Sequence, residues 1–372
     1  MTNSRDLGLK IVSIGGGTGL STLLSGLKRY VGHQSTRPSD PSLSASLVES
    51  LTAIVTVTDD GGSSGRLREE FQILPPGDIR NCLAALAEDE LLLTRLFQYR
   101  FESDGDLSGH SFGNIFLTAL TGVTGDFVEA IKLTSEVLAI KGRIFPSTRE
   151  DVTLIAELAG GRIVEGESRI VDSRSHIKSM WLSRKDCQPL PEAVEAVRDA
   201  DLITIGPGSL YTSIVPNLLV TGIVDAICQS NALKVYICNV MTQPGETQGF
   251  SVEDHVRTLY QYSPKLELDY VVVNSASITS RLKKKYFAEG AIQVGLDAGL
   301  ERRGDGFRLV DDPRPDSLPG FRIINGDLLN QNDVVRHDPH KLARLLLETC
   351  GRHEARDGGP KPGDTGRQRS GG

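Results

Sequence analysis

Five short runs of the chain are apolar throughout: LKIVSI (9–14), LTAIVTVT (51–58), DLITIG (201–206), KVYICNV (234–240) and DYVVVN (269–274). A strand with one wet face alternates polar and apolar residues, whereas a run with no polar face is covered on both sides. Segments of helical period separate most of these runs. The pattern predicts an α/β fold with a Rossmann-like three-layer core and a mostly parallel sheet. Between about residues 78 and 145 the period is mainly helical, with Asp78 read as the N-cap of DIRNCLAALAE and Ile79, Leu83 and Leu86 on one face. From Val152 to Ser183 it changes to alternation around Gly160-Gly161, the mark of an antiparallel hairpin.

A single domain is therefore expected over 1–350. Its core would be about 9–95 and 196–350, with a helical segment and a small antiparallel β excursion at about 96–195. The Ser/Pro-rich stretch 33–50 reads as a polar surface insertion. Residues 351–372 carry nothing apolar to bury and read as a disordered tail.

Charge narrows the partners. The chain has 41 basic and 48 acidic residues, a net charge of −7, which argues against nucleic-acid backbone binding. A local basic pocket for one small anion stays open. The five cysteines form no C-x-x-C pair and read as free buried thiols of a reducing compartment. No apolar run reaches the roughly 20 residues of a membrane span, and a cytoplasmic protein is expected.

Two glycine turns carry the candidate chemistry. Gly15, Gly16, Gly17, Thr18 and Gly19 lie between the first strand and a helix whose leucines recur at helical spacing. Glycines there permit tight geometry, and free amides at a helix start can meet a phosphate. The dinucleotide fingerprint fails at Leu20, and no Gly-Lys-Ser/Thr follows for a P-loop. The second turn, IGPGSLYTSIVPN, offers Gly206, Gly208, Ser209, Thr212 and Ser213 after another strand. Two such turns at strand carboxyl ends can face one crevice and suit a ligand with more than one phosphate. The plain alternative for the second is a helix start capped by Ser209.

Further polar groups cluster nearby in the sequence. Arg80 and Asn81 in PPGDIRN form a positive fork at a helix start, suited to an anion or to pairing with Asp59 or Asp60. Asp59 and Asp60 end the second strand. Paired carboxylates repel a phosphate, so they are assigned to a ligand's hydroxyl end or to a bridging magnesium ion. NVMTQPGET (239–247) ends another strand and is a candidate wall of the crevice. GHSFG (109–113) fits the hydrolase elbow pattern, but FESDGDLS before it is no apolar strand, so it reads as a helix start with His110 and Asn114 toward the cleft. In RHDPH (336–340), Asp338-Pro339 reads as a cap and first helical residue, ahead of a metal pair made by His337 and His340.

Taken in order, IVSIGGGTGLSTLLSGLK, TAIVTVTDDGGSSGRLREEF, PPGDIRNCLAALAE, GHSFGNIFLTALT, IGPGSLYTSIVPNLL, NVMTQPGET and VVRHDPHKLA resemble the gluconeogenesis-factor (YvcK-type) family. That family belongs to the CofD-like superfamily, which also contains 2-phospho-L-lactate transferase. The resemblance covers about residues 9–350. It implies a cytoplasmic protein needed for cell shape on gluconeogenic carbon sources, binding UDP-sugars, notably UDP-N-acetylglucosamine, with no established reaction. It assigns Thr18, Asn217, Tyr286 and Arg336 to that ligand. It is compatible with a homodimer and with regulatory partners in envelope synthesis.

The transferase relatives move a phospholactyl group from a guanosine dinucleotide donor to a deazaflavin with magnesium. By analogy Asp59 or Asp60 and Arg80 would lie on the acceptor side, with both aspartates as candidate Mg2+ ligands. Three functions follow for testing: a nucleotide-sugar-binding regulator, a CofD-like transferase, and an NAD-binding oxidoreductase. The failed fingerprint places the last well behind the others.

Overall fold

The computed structural model describes residues 8–32, 48–88, 92–102, 104–315, 317–332 and 334–357. Seven strands form the central sheet: β1 (Leu9–Gly15), β2 (Val48–Val55), β3 (Arg143–Pro146), β4 (Leu202–Ile205), β5 (Leu233–Ile237), β6 (Tyr270–Asn274) and β7 (Arg322–Gly326). Their spatial order is β7-β6-β5-β4-β1-β2-β3, and every neighbouring pair is parallel. This is the doubly wound order with one strand added, and it reverses direction between β1 and β4. The five apolar runs supply the five inner strands, whose side chains are buried almost throughout.

The two edge strands escape the apolar-run criterion. Each is short, and Arg143 and Arg322 open them with charge, as an unpaired sheet edge requires. β3 also comes from inside the stretch the sequence assigned to the excursion, so the main sheet draws on both parts of the expected division. The excursion itself holds a three-stranded antiparallel sheet of Leu154–Leu158, Ile163–Glu165 and Ile177–Leu182. Between its last two strands Glu167–Asp172 forms a helical turn where strand alternation had been expected. The positive φ of Gly166, 99°, breaks the strand there.

Helix α1 (Gly17–Leu27) buries Leu20, Leu23, Leu24 and Leu27, the periodic leucines of the sequence. It packs on the start of the last helix, Pro339–Asp357, so closely that a Cβ on Gly26 would lie 2.0 Å from the Pro339 carbonyl oxygen. That last helix opens as expected, with Asp338 Oδ1 accepting the His340 and Lys341 amides at 2.9 and 3.0 Å. It runs on to Asp357, so 351–357 is helical rather than disordered. Glu348 draws Arg344 and Arg352 to itself at i,i+4 spacing, which extends the helix past its apolar stripe. Residues 358–372 and 33–47 lie outside the described residues, and 48–50 of the expected insertion open β2.

Helices α2 (Gly62–Phe71) and α3 (Gly77–Leu86) follow β2. Asp78 does not cap α3: Pro76 holds the cap position and Asp78 sits in the first turn. Likewise neither Ser63 nor Ser64 caps α2, whose cap is Gly61. All five cysteines are free thiols. Among the described residues no single helix is long and apolar enough to cross a membrane.

Candidate functional site

The reversal of strand order leaves a crevice outside the carboxyl ends of β1 and β4, and both glycine turns open into it. They touch. A Cβ on Gly19 would lie 2.6 Å from the Pro207 carbonyl oxygen and 2.8 Å from the Gly208 Cα. Only a glycine at that helical position lets the two backbones meet. A cavity of about 300 Å³ lies over the junction. Gly16, Gly17, Thr18 and Gly19 line one wall, and Gly208, Ser209 and Ser213 another. The loop after β5 forms a third, from Asn239 to Pro244, so NVMTQPGET borders the same space. Tyr286, Val335, Arg336 and His337 close the far side.

The second turn is braced by that third loop. Gln243 Nε2 donates to Ser209 Oγ at 2.8 Å, and Asn239 Oδ1 accepts the Gly208 amide at 3.3 Å. Ser209 holds the cap position of the helical segment Leu210–Ile214, as the plain reading has it, but its side chain bonds Gln243 and caps no amide. Arg336 lies exposed on the short strand Val335–His337, and its side chain makes no hydrogen bond or ion pair to any described residue. An unengaged guanidinium beside helix-start amides and hydroxyls is the electrostatics of an anion site. Tyr286 is fixed by its hydroxyl, which accepts the Val335 amide at 2.9 Å.

Asn217 and Thr212 stand behind the cavity wall. Asn217 is fully buried, and its Nδ2 donates to the carbonyls of Gly15 at 3.0 Å and Ser213 at 2.7 Å. It clamps the end of β1 to the second turn. Thr212 Oγ1 donates to Glu246 at 3.1 Å, and Glu246 also accepts the Tyr211 amide at 3.1 Å. Glu246 went unnoticed in the sequence, where only its place after a Pro-Gly turn marks it. Gly15 and Gly206 sit beneath the lining as the strand ends that aim the turns.

Burial pushes the Glu246 carboxyl up to about 7 from its ordinary 4.5. The folded value exceeds the unfolded one, so the native chain holds the extra proton between those two pH values. The contribution to stability is full below about pH 4.5 and is lost as pH rises through about 7. Glu246→Gln keeps a carbonyl acceptor and removes the charge. It is expected to flatten the fall in stability between pH 5 and 8 by up to ~3 kcal/mol. A pH series of thermal melts checks this, and parallel curves for the two proteins would refute it.

The expected acidic pair divides. Asp59 Oδ1 accepts the Gly61 amide at 2.9 Å, whereas Asp60 Oδ1 accepts the Ser168 amide at 2.8 Å and so ties the excursion to β2. The group crowding Asp59 is instead Asp78. Its carboxyl is pushed up to about 7 by burial and then by Asp59, and it accepts the Gly17 amide of the first turn. Glu167, also missed in the sequence, is held well above the usual range by burial and by Asp59 and Asp78. Among the described residues no three carboxylate, histidine or cysteine side chains converge as metal ligands. Each aspartate of the expected magnesium pair has one oxygen taken by a backbone amide, Asp59 by Gly61 and Asp60 by Ser168.

Arg80 pairs with neither aspartate of the pair. Its guanidinium donates to Ser111 Oγ at 2.6 Å and to Asn81 Oδ1 at 2.7 Å, which also uses Asn81 within the cluster. GHSFG is a helix start, as read: Ser111 caps Phe112–Thr124. His110 and Asn114 both bond Ser63 Oγ, at 2.9 and 3.1 Å, and do not line the cavity.

Fold and site together define a doubly wound α/β protein with a crevice walled by two glycine turns at its switch point. The family model described as 2-phospho-L-lactate transferase CofD matches residues 11–313. The gluconeogenesis factor of Bacillus subtilis is 47% identical over 91% of this chain and 97% of its own length. That of Halalkalibacterium halodurans is 45% identical over 91% and 95%. A crystal structure of a upf0052 family protein from Bacillus halodurans superposes with a TM-score of 0.78 at 44% identity, covering 91% of this chain and 99% of that one. The chain belongs to the CofD-like gluconeogenesis-factor family.

Proposed function

We propose that the cavity binds a nucleotide-sugar, UDP-N-acetylglucosamine first among them, and that the protein is a cytoplasmic regulator whose ligand reports on envelope precursors. In this reading it supports cell shape during growth on gluconeogenic carbon, and Thr18, Gly19, Ser209 and Arg336 hold the diphosphate while Tyr286 meets base or sugar. The carrying observation is the contact of two glycine turns beneath one cavity that also holds an unengaged arginine. Asn217 serves the same site from behind, by fixing the turns.

A thermal-shift panel with UDP-sugars, UTP, GDP, GTP and NAD, each with and without magnesium, tests the reading. UDP-N-acetylglucosamine at millimolar concentration is expected to raise the melting temperature, because it binds the native state alone. Arg336→Ala should weaken that binding about tenfold or more and leave the unliganded melting temperature unchanged, since the exposed side chain makes no hydrogen bond or ion pair to a described residue. A shift with GDP or NAD and none with any UDP-sugar would sink the proposal.

One observation favours a second reading, a CofD-like transferase: the crowded carboxyls of Asp59, Asp78 and Glu167 beside the first turn. Asp78→Asn would then abolish turnover of a nucleotide donor while sparing its binding. Unimpaired function of that variant in cells removes the reading.

A further inference from the structure

The helix Ser280–Ala288 separates two spaces. Tyr286 faces the ligand cavity and Leu282 is buried beneath it. On the adjoining face Lys283, Lys284 and Phe287 line a second groove of about 340 Å³, floored by Met241 and Ile292. Phe287 is 75% exposed and Ile292 45% exposed. Helical spacing puts Phe287 one turn beyond both lysines, so the charges flank the apolar floor. Covering a side chain of that size is favourable, a gain that an apolar groove left open forgoes until something fills it.

Charge says what fills it. Neither lysine ammonium meets a carboxylate among the described residues, and Arg281 and Lys285 bring the cations of this helix to four. This stands against a chain of net charge −7. The floor is concave, a shape that one inserted side chain fills and a flat bilayer surface does not. A protein segment that offers one large apolar side chain and acidic neighbours satisfies groove and rim together. We propose that this groove docks a partner protein through one large apolar side chain flanked by carboxylates.

The test sorts a displayed library of random 12-residue peptides on the full chain, with counter-selection on Phe287→Ser. The enriched peptides are expected to share a Leu, Phe or Met between Asp or Glu residues. Their affinity should fall about tenfold in Phe287→Ser, about tenfold in the Lys283→Glu, Lys284→Glu double variant, and further as salt is raised. The melting temperatures of both variants and their response to UDP-N-acetylglucosamine should match the native chain. No enrichment, a basic consensus, or equal binding by the variants overturns the proposal. So does sedimentation with phosphatidylserine vesicles that the same substitutions abolish, which makes the occupant a membrane. A native dimer dissolved by Phe287→Ser makes it a second copy and overturns the proposal equally.

Discussion

Gly19→Ala is expected to remove nucleotide-sugar binding and to lower the melting temperature, although it adds one methyl group. In an isolated helix the change would stabilise by about 1 kcal/mol. Here the methyl carbon would lie 2.6 Å from the Pro207 carbonyl oxygen, 2.7 Å from its carbon and 2.8 Å from the Gly208 Cα. All three are backbone atoms, so no rotamer change relieves the overlap. The two turns must separate, which moves Thr18 away from Ser209 and Ser213. Overpacking of this kind costs ~1–3 kcal/mol, or a few degrees in melting temperature.

Gly26→Ala supplies the comparison. Its methyl would lie 2.0 Å from the Pro339 carbonyl oxygen, on the same helix but away from the cavity lining. It should destabilise at least as much and yet keep the ligand-induced shift. Native affinity in Gly19→Ala would show that contact between the turns is irrelevant to binding.

Asn217→Ala is the second large effect. Removing the amide takes a donor from two carbonyls, of Gly15 and Ser213, and leaves Gly15 O with the Thr56 amide at 3.1 Å. Each hydrogen bond lost at a fully buried position is worth ~0.5–1.5 kcal/mol, so a loss of about 1–3 kcal/mol is expected. Asn217→Asp should be worse, because it turns a carboxylate toward the same two carbonyls. Family resemblance assigns Asn217 to the ligand, whereas the geometry makes it a clamp. The distinction is measurable: a direct ligand contact would lose affinity with no change in the unliganded melting temperature, and a clamp loses both.

The inner strands and both glycine turns were legible in the sequence because each rests on local pattern. An all-apolar run admits little but a doubly covered strand, and a glycine run at its end admits little but a tight turn. What was illegible depends on residues far apart in the chain. Asn217 acts across more than two hundred positions on Gly15, and Glu246 acts on Thr212 from another loop. Asp59 and Asp60 look equivalent as neighbours, yet in the loop after β2, which ends at Val55, one turns to Gly61 and the other to Ser168. Their adjacency in sequence suggested a pair, while Asp78 and Glu167 crowd Asp59 from elsewhere. The edge strands were missed for a reason of their own, since charge and brevity protect an edge and also hide it.

The central place of β1 bears on how the chain is made. One neighbour, β2, follows within the first 55 residues, but the other, β4, begins only at Leu202. At a translation rate of roughly 5–20 residues per second, about 7–30 s separate the emergence of these two flanks. Through that interval the nascent chain carries an apolar strand with one ladder of amides and carbonyls unfilled, next to half a ligand crevice. Putting the crevice where the strand order reverses therefore builds it from early and late segments of the polypeptide, and leaves the growing chain a sticky edge until the second half arrives.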